Sequence, residues 1–181
     1  MSKLKDIADN FKHLTDKDSK HSYLDIYNNL FSDYLDSHRI LEIGVAAGGS
    51  IGIWLNYFEK AEVYGVDLCD IPPTLISINS PRYHHYNRNA YDKELVKLLP
   101  NFNIIIDDGP HNTDSYNSLL DLYQDKVEIE GLLIIEDVDY YNIDIQSILD
   151  KFDDNFQVSV IDLRHIKNIG DDILIVGKRI S

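Results

Sequence analysis

The sequence holds a single cysteine, Cys69, so it can form neither an intrachain disulfide nor a cysteine-based zinc cluster. It has no apolar run of the ~20 residues that cross a bilayer. Its first residues, Met1 to Asp6, lack the apolar stretch of a secretory signal. These absences lead us to expect a protein of the reducing cytoplasm with no membrane segment. Basic residues are also scarce. Seventeen Lys and Arg stand against 31 Asp and Glu, a formal net charge of −14, and no dense basic run occurs. Such a field repels phosphate backbones on average, so nucleic acid is not an expected partner. Internal repeats, low-complexity tracts and an interdomain linker are absent too. The 181 residues are read as one domain, 1–181.

What is present is a change of period. Leu4, Ile7, Ala8, Phe11 and Leu14 recur at helical spacing and predict a helix near 3–14. A polar turn, Thr15 to Lys20, separates it from a second helix carrying Tyr23, Ile26, Tyr27, Leu30 and Tyr34. These N-terminal helices, about 1–36, are expected to cover the core. Short apolar strands and amphipathic helices then alternate. Strands are read at 39–45, 61–67, 82–87, 103–107, 131–136, 156–162 and 173–178. Asp92 is the expected N-cap of a helix that Pro100 stops.

Repeated βαβ units imply an α/β, Rossmann-like, doubly wound and mostly parallel seven-stranded sheet. The short link near Asn168–Asp171 leaves no room for a crossover helix. The last two strands should therefore form an antiparallel edge hairpin.

Glu42, Gly44, Gly48, Gly49 and Ser50 lie between the first strand and its helix, where glycine lets backbone approach a ligand closely. Asp67 ends the second strand, where an acid can accept hydrogen bonds from the ribose of an adenosine-containing ligand. The alternative is that Asp67 simply caps the next turn. The turn is not the tight Gly-x-Gly-x-x-Gly of pyrophosphate sites. These two features alone do not separate a dinucleotide from S-adenosylmethionine.

Two further clusters fall at the same sheet end. Asp107-Asp108-Gly109-Pro110-His111 closes the fourth strand and Glu136-Asp137 the fifth. Adjacent strands are ~4.8 Å apart, so Asp108, Glu136 and Asp137 can share one hard cation such as Mg²⁺. His111 is placed to act as general base beside Asp108.

Glu42-Ile43-Gly44, Gly48-Gly49-Ser50 and Tyr64-Gly65-Val66-Asp67 resemble the first two motifs of class I methyltransferases. That resemblance implies S-adenosylmethionine as cofactor, with Glu42, Gly44 and nearby backbone around its methionine part. It also implies Asp67 on the ribose, Asn89-Ala90-Tyr91 near the adenine, and Asp107 among the donor-site residues. Ile-Asp-Asp-Gly-x-His followed by Ile-Glu-Asp resembles the metal-dependent sugar O-methyltransferases of macrolide biosynthesis. Thr15-Asp16-Lys17, His21 and Tyr23 are similar to a segment preceding the core in that group. The resemblance implies Asp108, Glu136 and Asp137 as metal ligands and His111 as base. The implied acceptor is a small molecule or glycan with a free hydroxyl.

Departures are Pro110 in place of serine and Glu128-Ile129-Glu130-Gly131 before the fifth strand. The antibiotic enzymes also carry an added amino-terminal domain. Here the acceptor is expected to be enclosed by the N-terminal helices, by loops near 68–82 and 138–143, or by a second subunit of a homo-oligomer. Two other readings stay open: an NAD-binding oxidoreductase, and a non-catalytic module on a methyltransferase fold. Against the first, no Tyr-x-x-x-Lys pair stands on a suitable helix.

Overall fold

A computed structural model describes residues 3–181, so the first two residues of the expected N-terminal helices lie outside the described residues. Seven strands form one sheet: β1 (Arg39–Ile43), β2 (Glu62–Asp67), β3 (Tyr83–Asn87), β4 (Phe102–Asp107), β5 (Val127–Ile135), β6 (Phe156–Asp162) and β7 (Ile173–Arg179). Their order is β3-β2-β1-β4-β5-β7-β6. β1 to β5 pair in parallel, while β7 is antiparallel to both β5 and β6.

The final hairpin thus forms as expected, with its returning strand on the inside. The residues explain that order. Ile173 to Val176 are all buried, as befits a strand flanked on both sides, whereas most of β6 is partly or fully exposed.

Side chains alternate across the sheet. Ile40, Ile104 and Ile106 pack on one face and Leu41, Ile43 and Ile105 on the other. The first face is covered by α1 (Lys3–Ala8), α2 (Tyr23–Leu30) and α3 (Gly49–Tyr57), through an aromatic cluster of Tyr27, Phe31, Trp54 and Phe58. The second face is covered by α5 (Lys93–Leu98), α6 (Thr113–Tyr123) and α7 (Ile145–Leu149). Asp92 caps α5, its side chain accepting the Glu94 N–H. Asn112 and Ser115 form a reciprocal capping box at the start of α6.

Two short helices, α4 (Pro73–Ile78) and α8 (Arg164–Lys167), fall in segments read as loops. Each spans too few residues to show a period. The first helix stops at Ala8 rather than near residue 14. Turns carry the chain onward, and Phe11 still packs against the core without a helix to hold it.

Candidate active site

Parallel pairing fixes the site. Ile43 is opposite Asp107, and Asp107 is opposite Ile135, so the residues following β1, β4 and β5 emerge side by side. The Glu136 N–H donates to the Asp107 carbonyl at 3.0 Å, and the Asp108 N–H donates to the Ile43 carbonyl at 2.8 Å. Gly44 is required here. Its φ is +87°, and a Cβ would lie 1.9 Å from the Asp108 carbonyl oxygen.

On the glycine-turn side, Asp67 Oδ2 accepts the N–H groups of Val45 at 2.7 Å and Ala46 at 3.0 Å, while Oδ1 accepts that of Cys69 at 3.0 Å. Burial opposes its charge, but the donors from Ala46, Cys69 and Val45 outweigh that and hold it below the usual carboxylate range. Asp67 therefore braces two turns and still faces the cavity with lone pairs to spare.

Glu42 lies behind the cavity wall. It is fully buried, and its Oε2 accepts from the Ser50 hydroxyl at 2.8 Å and the Trp54 indole N–H at 3.0 Å. Gly44, Ser50, Asn89, Ala90 and Tyr91 line the cavity. Gly48 and Gly49 shape the start of α3. Asp107 turns to the far side, where it accepts from the Tyr91 hydroxyl at 3.1 Å. Burial pushes its carboxyl up to about 7 despite that hydrogen bond.

At the other end, three side chains converge. His111 Nε2 lies 3.6 Å from Asp108 Oδ1 and 3.9 Å from Asp137 Oδ2, and oxygen or nitrogen atoms of the three lie within 4.8 Å of one another. His111 and Asp137 both have positive φ, +52° each, which turns the chain sharply at the two strand ends. Burial opposes the charge of Asp137, but His21, Tyr23 and His111 outweigh it and hold the carboxyl down to about 2. Glu136, the third acid expected to share a cation, faces inward. Lys17 Nζ donates to its Oε2 at 2.5 Å and the Tyr27 hydroxyl donates to its Oε1.

The segment before α2, read from sequence as a polar turn, belongs to this centre. Lys17 is fully buried and also donates to Asp108 Oδ2 at 2.8 Å, with Glu42 Oε1 at 3.2 Å. Burial disfavours its charge, but Asp108, Glu136 and Glu42 outweigh it and hold the ammonium well above its ordinary pKa. His21, also buried, lies 3.2 Å from Asp137 Oδ2 and 3.5 Å from Asp172 Oδ1. The Tyr23 hydroxyl donates to Asp137 Oδ1 at 2.6 Å. The sequence carried two signals for these contacts: the similarity of Thr15-Asp16-Lys17, His21 and Tyr23 to a segment of the sugar O-methyltransferases, and a surplus of acids on apolar strands, which cannot be buried without donors.

Both ends open into one cavity of about 1020 Å³, roofed by Lys12 to Asp16 and Ser19. That volume accommodates a nucleoside-sized ligand beside a second small molecule. No protein-family profile matches the chain. Individual relatives do. It is 29% identical over 139 residues to 8-demethyl-8-alpha-L-rhamnosyl tetracenomycin-C 2'-O-methyltransferase of Streptomyces olivaceus, covering 70% of this chain and 36% of that protein. It is 30% identical over 131 residues to mycinamicin VI 2''-O-methyltransferase of Micromonospora griseorubida, covering 65% of this chain and 32% of the relative. Among solved structures, MycE methyltransferase in complex with Mg, SAH and mycinamycin VI superposes with a TM-score of 0.77 at 23% identity. That match covers 98% of this chain and 54% of the other.

The chain has a class I methyltransferase fold and resembles sugar O-methyltransferases. It spans about a third of the length of the curated relatives it matches. No helix among the described residues is long and apolar enough to cross a membrane.

Proposed function

We propose that the protein is an S-adenosylmethionine-dependent O-methyltransferase acting on a sugar or glycan hydroxyl with the help of Mg²⁺. The observation that carries this reading is the single cavity joining Asp67 and Asn89 at one end to Asp108, His111 and Asp137 at the other. The named activities of its relatives support it.

The donor set suits a hard divalent ion: carboxylate oxygens of Asp108 and Asp137 converge beside the Nε2 of His111. Asp108 and Asp137 would hold the ion. Glu136 would join them by exchanging its contacts with Lys17 and Tyr27. When bound, S-adenosylmethionine supplies an electrophilic methyl group and Mg²⁺ supplies a Lewis acid that eases ionisation of the acceptor hydroxyl.

The rest falls to the chain itself. Asp67 orients the ribose, and Asn89 to Tyr91 flank the base. His111 would accept the acceptor's proton on Nε2 as the acceptor's oxygen takes the methyl group, the S–CH3 bond breaking with its electron pair left on sulfur so that neutral S-adenosylhomocysteine departs. Asp108 and Asp137, on either side of that nitrogen, stabilise the resulting imidazolium. The roof formed by Lys12 to Asp16 limits water around the reacting oxygen.

The test follows labelled methyl transfer from S-adenosylmethionine to a panel of rhamnosides and other deoxysugar glycosides, with and without EDTA. Transfer to a sugar hydroxyl that collapses in EDTA and returns with Mg²⁺ is the expected result. Transfer unaffected by chelation would remove the metal from the mechanism.

A further inference from the structure

The carboxylates beside the cavity outnumber their cations. Glu42 from β1, Asp108 after β4 and Glu136 after β5 all face one ammonium, that of Lys17, at 3.2, 2.8 and 2.5 Å. Lys17 has no exposed surface, and neither has Glu42. Among the described residues no other lysine or arginine pairs with these three acids, and the two nearby histidines lie on Asp137 and on the outer oxygen of Asp108. A long cationic side chain from an otherwise polar turn has thus been drawn wholly inside. Burying a charge on this scale is tolerated only where partners compensate it, and the same holds for the acids.

We infer that Lys17 is the built-in counter-cation of the acid cluster: its ammonium compensates Glu42, Asp108 and Glu136 and competes with a divalent ion for Asp108 and Glu136. The second half rests on the Mg²⁺ reading above; the first does not. Two consequences follow. The cluster stays folded without metal, because Lys17 offsets its repulsion. Divalent ions bind weakly and exchange freely, because each must approach a fixed positive charge and share carboxylates with it. Lys17 is thus a positioning residue. It reaches the cavity through Asp108, whose Oδ2 it holds, leaving Oδ1 toward His111.

The experiment compares wild type, Lys17→Met and the double variant Lys17→Met/Glu136→Gln. Mn²⁺ affinity is measured by titration calorimetry, and thermal unfolding is followed in EDTA and in Mn²⁺. Lys17→Met is expected to bind Mn²⁺ about tenfold more tightly than wild type, through loss of one nearby positive charge. It should melt lower than wild type in EDTA and recover in Mn²⁺. The double variant removes one acid with the lysine, so it should regain stability in EDTA and lose the added Mn²⁺ affinity.

The inference is overturned if Lys17→Met binds Mn²⁺ no more tightly than wild type. It is also overturned if that variant is equally destabilised, or unfolded, with and without Mn²⁺. A double variant no more stable in EDTA than the single one counts against it as well. Wild type that binds no Mn²⁺ would instead retire the Mg²⁺ reading, and a Lys17→Met variant that gains binding would still uphold the counter-cation.

Discussion

At the residue scale, the two ends of the cavity are set by opposite treatment of carboxylates. Asp137 is held down to about 2 because His21, Tyr23 and His111 more than offset its burial, so it is ionised whenever the protein is folded near neutrality. Asp107, one strand away, is buried with a phenol and pushed up to about 7. The sign of its effect on stability is the reverse of the usual acid. The folded state binds this proton more tightly than an unfolded carboxyl with its ordinary value of 3.8, so stability present in acid is lost as pH rises toward 7. Asp107→Asn is therefore expected to raise the unfolding temperature at pH 8, by an amount equivalent to roughly 4 kcal/mol, and to change it little at pH 4. Thermal melts at the two values check this; equal effects at both would show that burial of the charge is not the cause. His111→Ala should lower kcat by ~10²–10⁴-fold, as loss of a general base does. Its affinity for S-adenosylhomocysteine should be unchanged, since the residue stands at the acceptor end. Calorimetry alongside kinetics separates the two.

At the element scale, the stretch between α1 and α2 does more than cover the core. It crosses the start of α3 so closely that a Cβ on Gly49 would lie 2.4 Å from the Leu14 carbonyl oxygen. From there it roofs the cavity and delivers Lys17, while α2 delivers Tyr23 and Tyr27 to Asp137 and Glu136. Burial and the neighbouring carboxylates push both phenols up, so they remain proton donors to the acids. Gly49→Val should displace this segment, since backbone cannot yield as a flexible side chain can. Weaker S-adenosylhomocysteine binding and faster proteolysis within residues 9–20 are the expected outcome. Wild-type rates of cleavage in that variant would show that the segment is not held by its contact with α3.

The sheet was legible in the sequence for a local reason. Apolar strands such as Ile104-Ile105-Ile106 and the glycine turn each announce themselves within a few residues, and parallel topology then brings Asp67, Asp108 and Asp137 to one end. The inward direction of Glu136 was not legible. It depends on Lys17 and Tyr27, 119 and 109 residues away, and no local period encodes such a partnership. The helix expected near 3–14 failed for a related reason. Phe11 and Leu14 have helical spacing, but Leu14 meets Gly49 through a turn, a tertiary contact that overrides the repeat.

At the scale of the molecule, a net charge of −14 is partly concentrated at the carboxyl ends of β2, β4 and β5, where Asp67, Asp108 and Asp137 face a cavity. Acids gathered there make sense as receivers of cations and of a sulfonium ligand, and they disfavour an anionic one. The same distribution disfavours a dinucleotide, whose pyrophosphate would meet repulsion and would lack the tight glycine turn that usually holds it.

The most direct measurement is therefore titration calorimetry of the protein with S-adenosylhomocysteine and with NAD, repeated on Asp67→Ala. Saturable binding of S-adenosylhomocysteine at one site, lost or weakened at least about tenfold in Asp67→Ala and absent for NAD, is the predicted result, the loss being that of a carboxylate hydrogen-bonded to the ligand. Binding of NAD with no response to S-adenosylhomocysteine would contradict it.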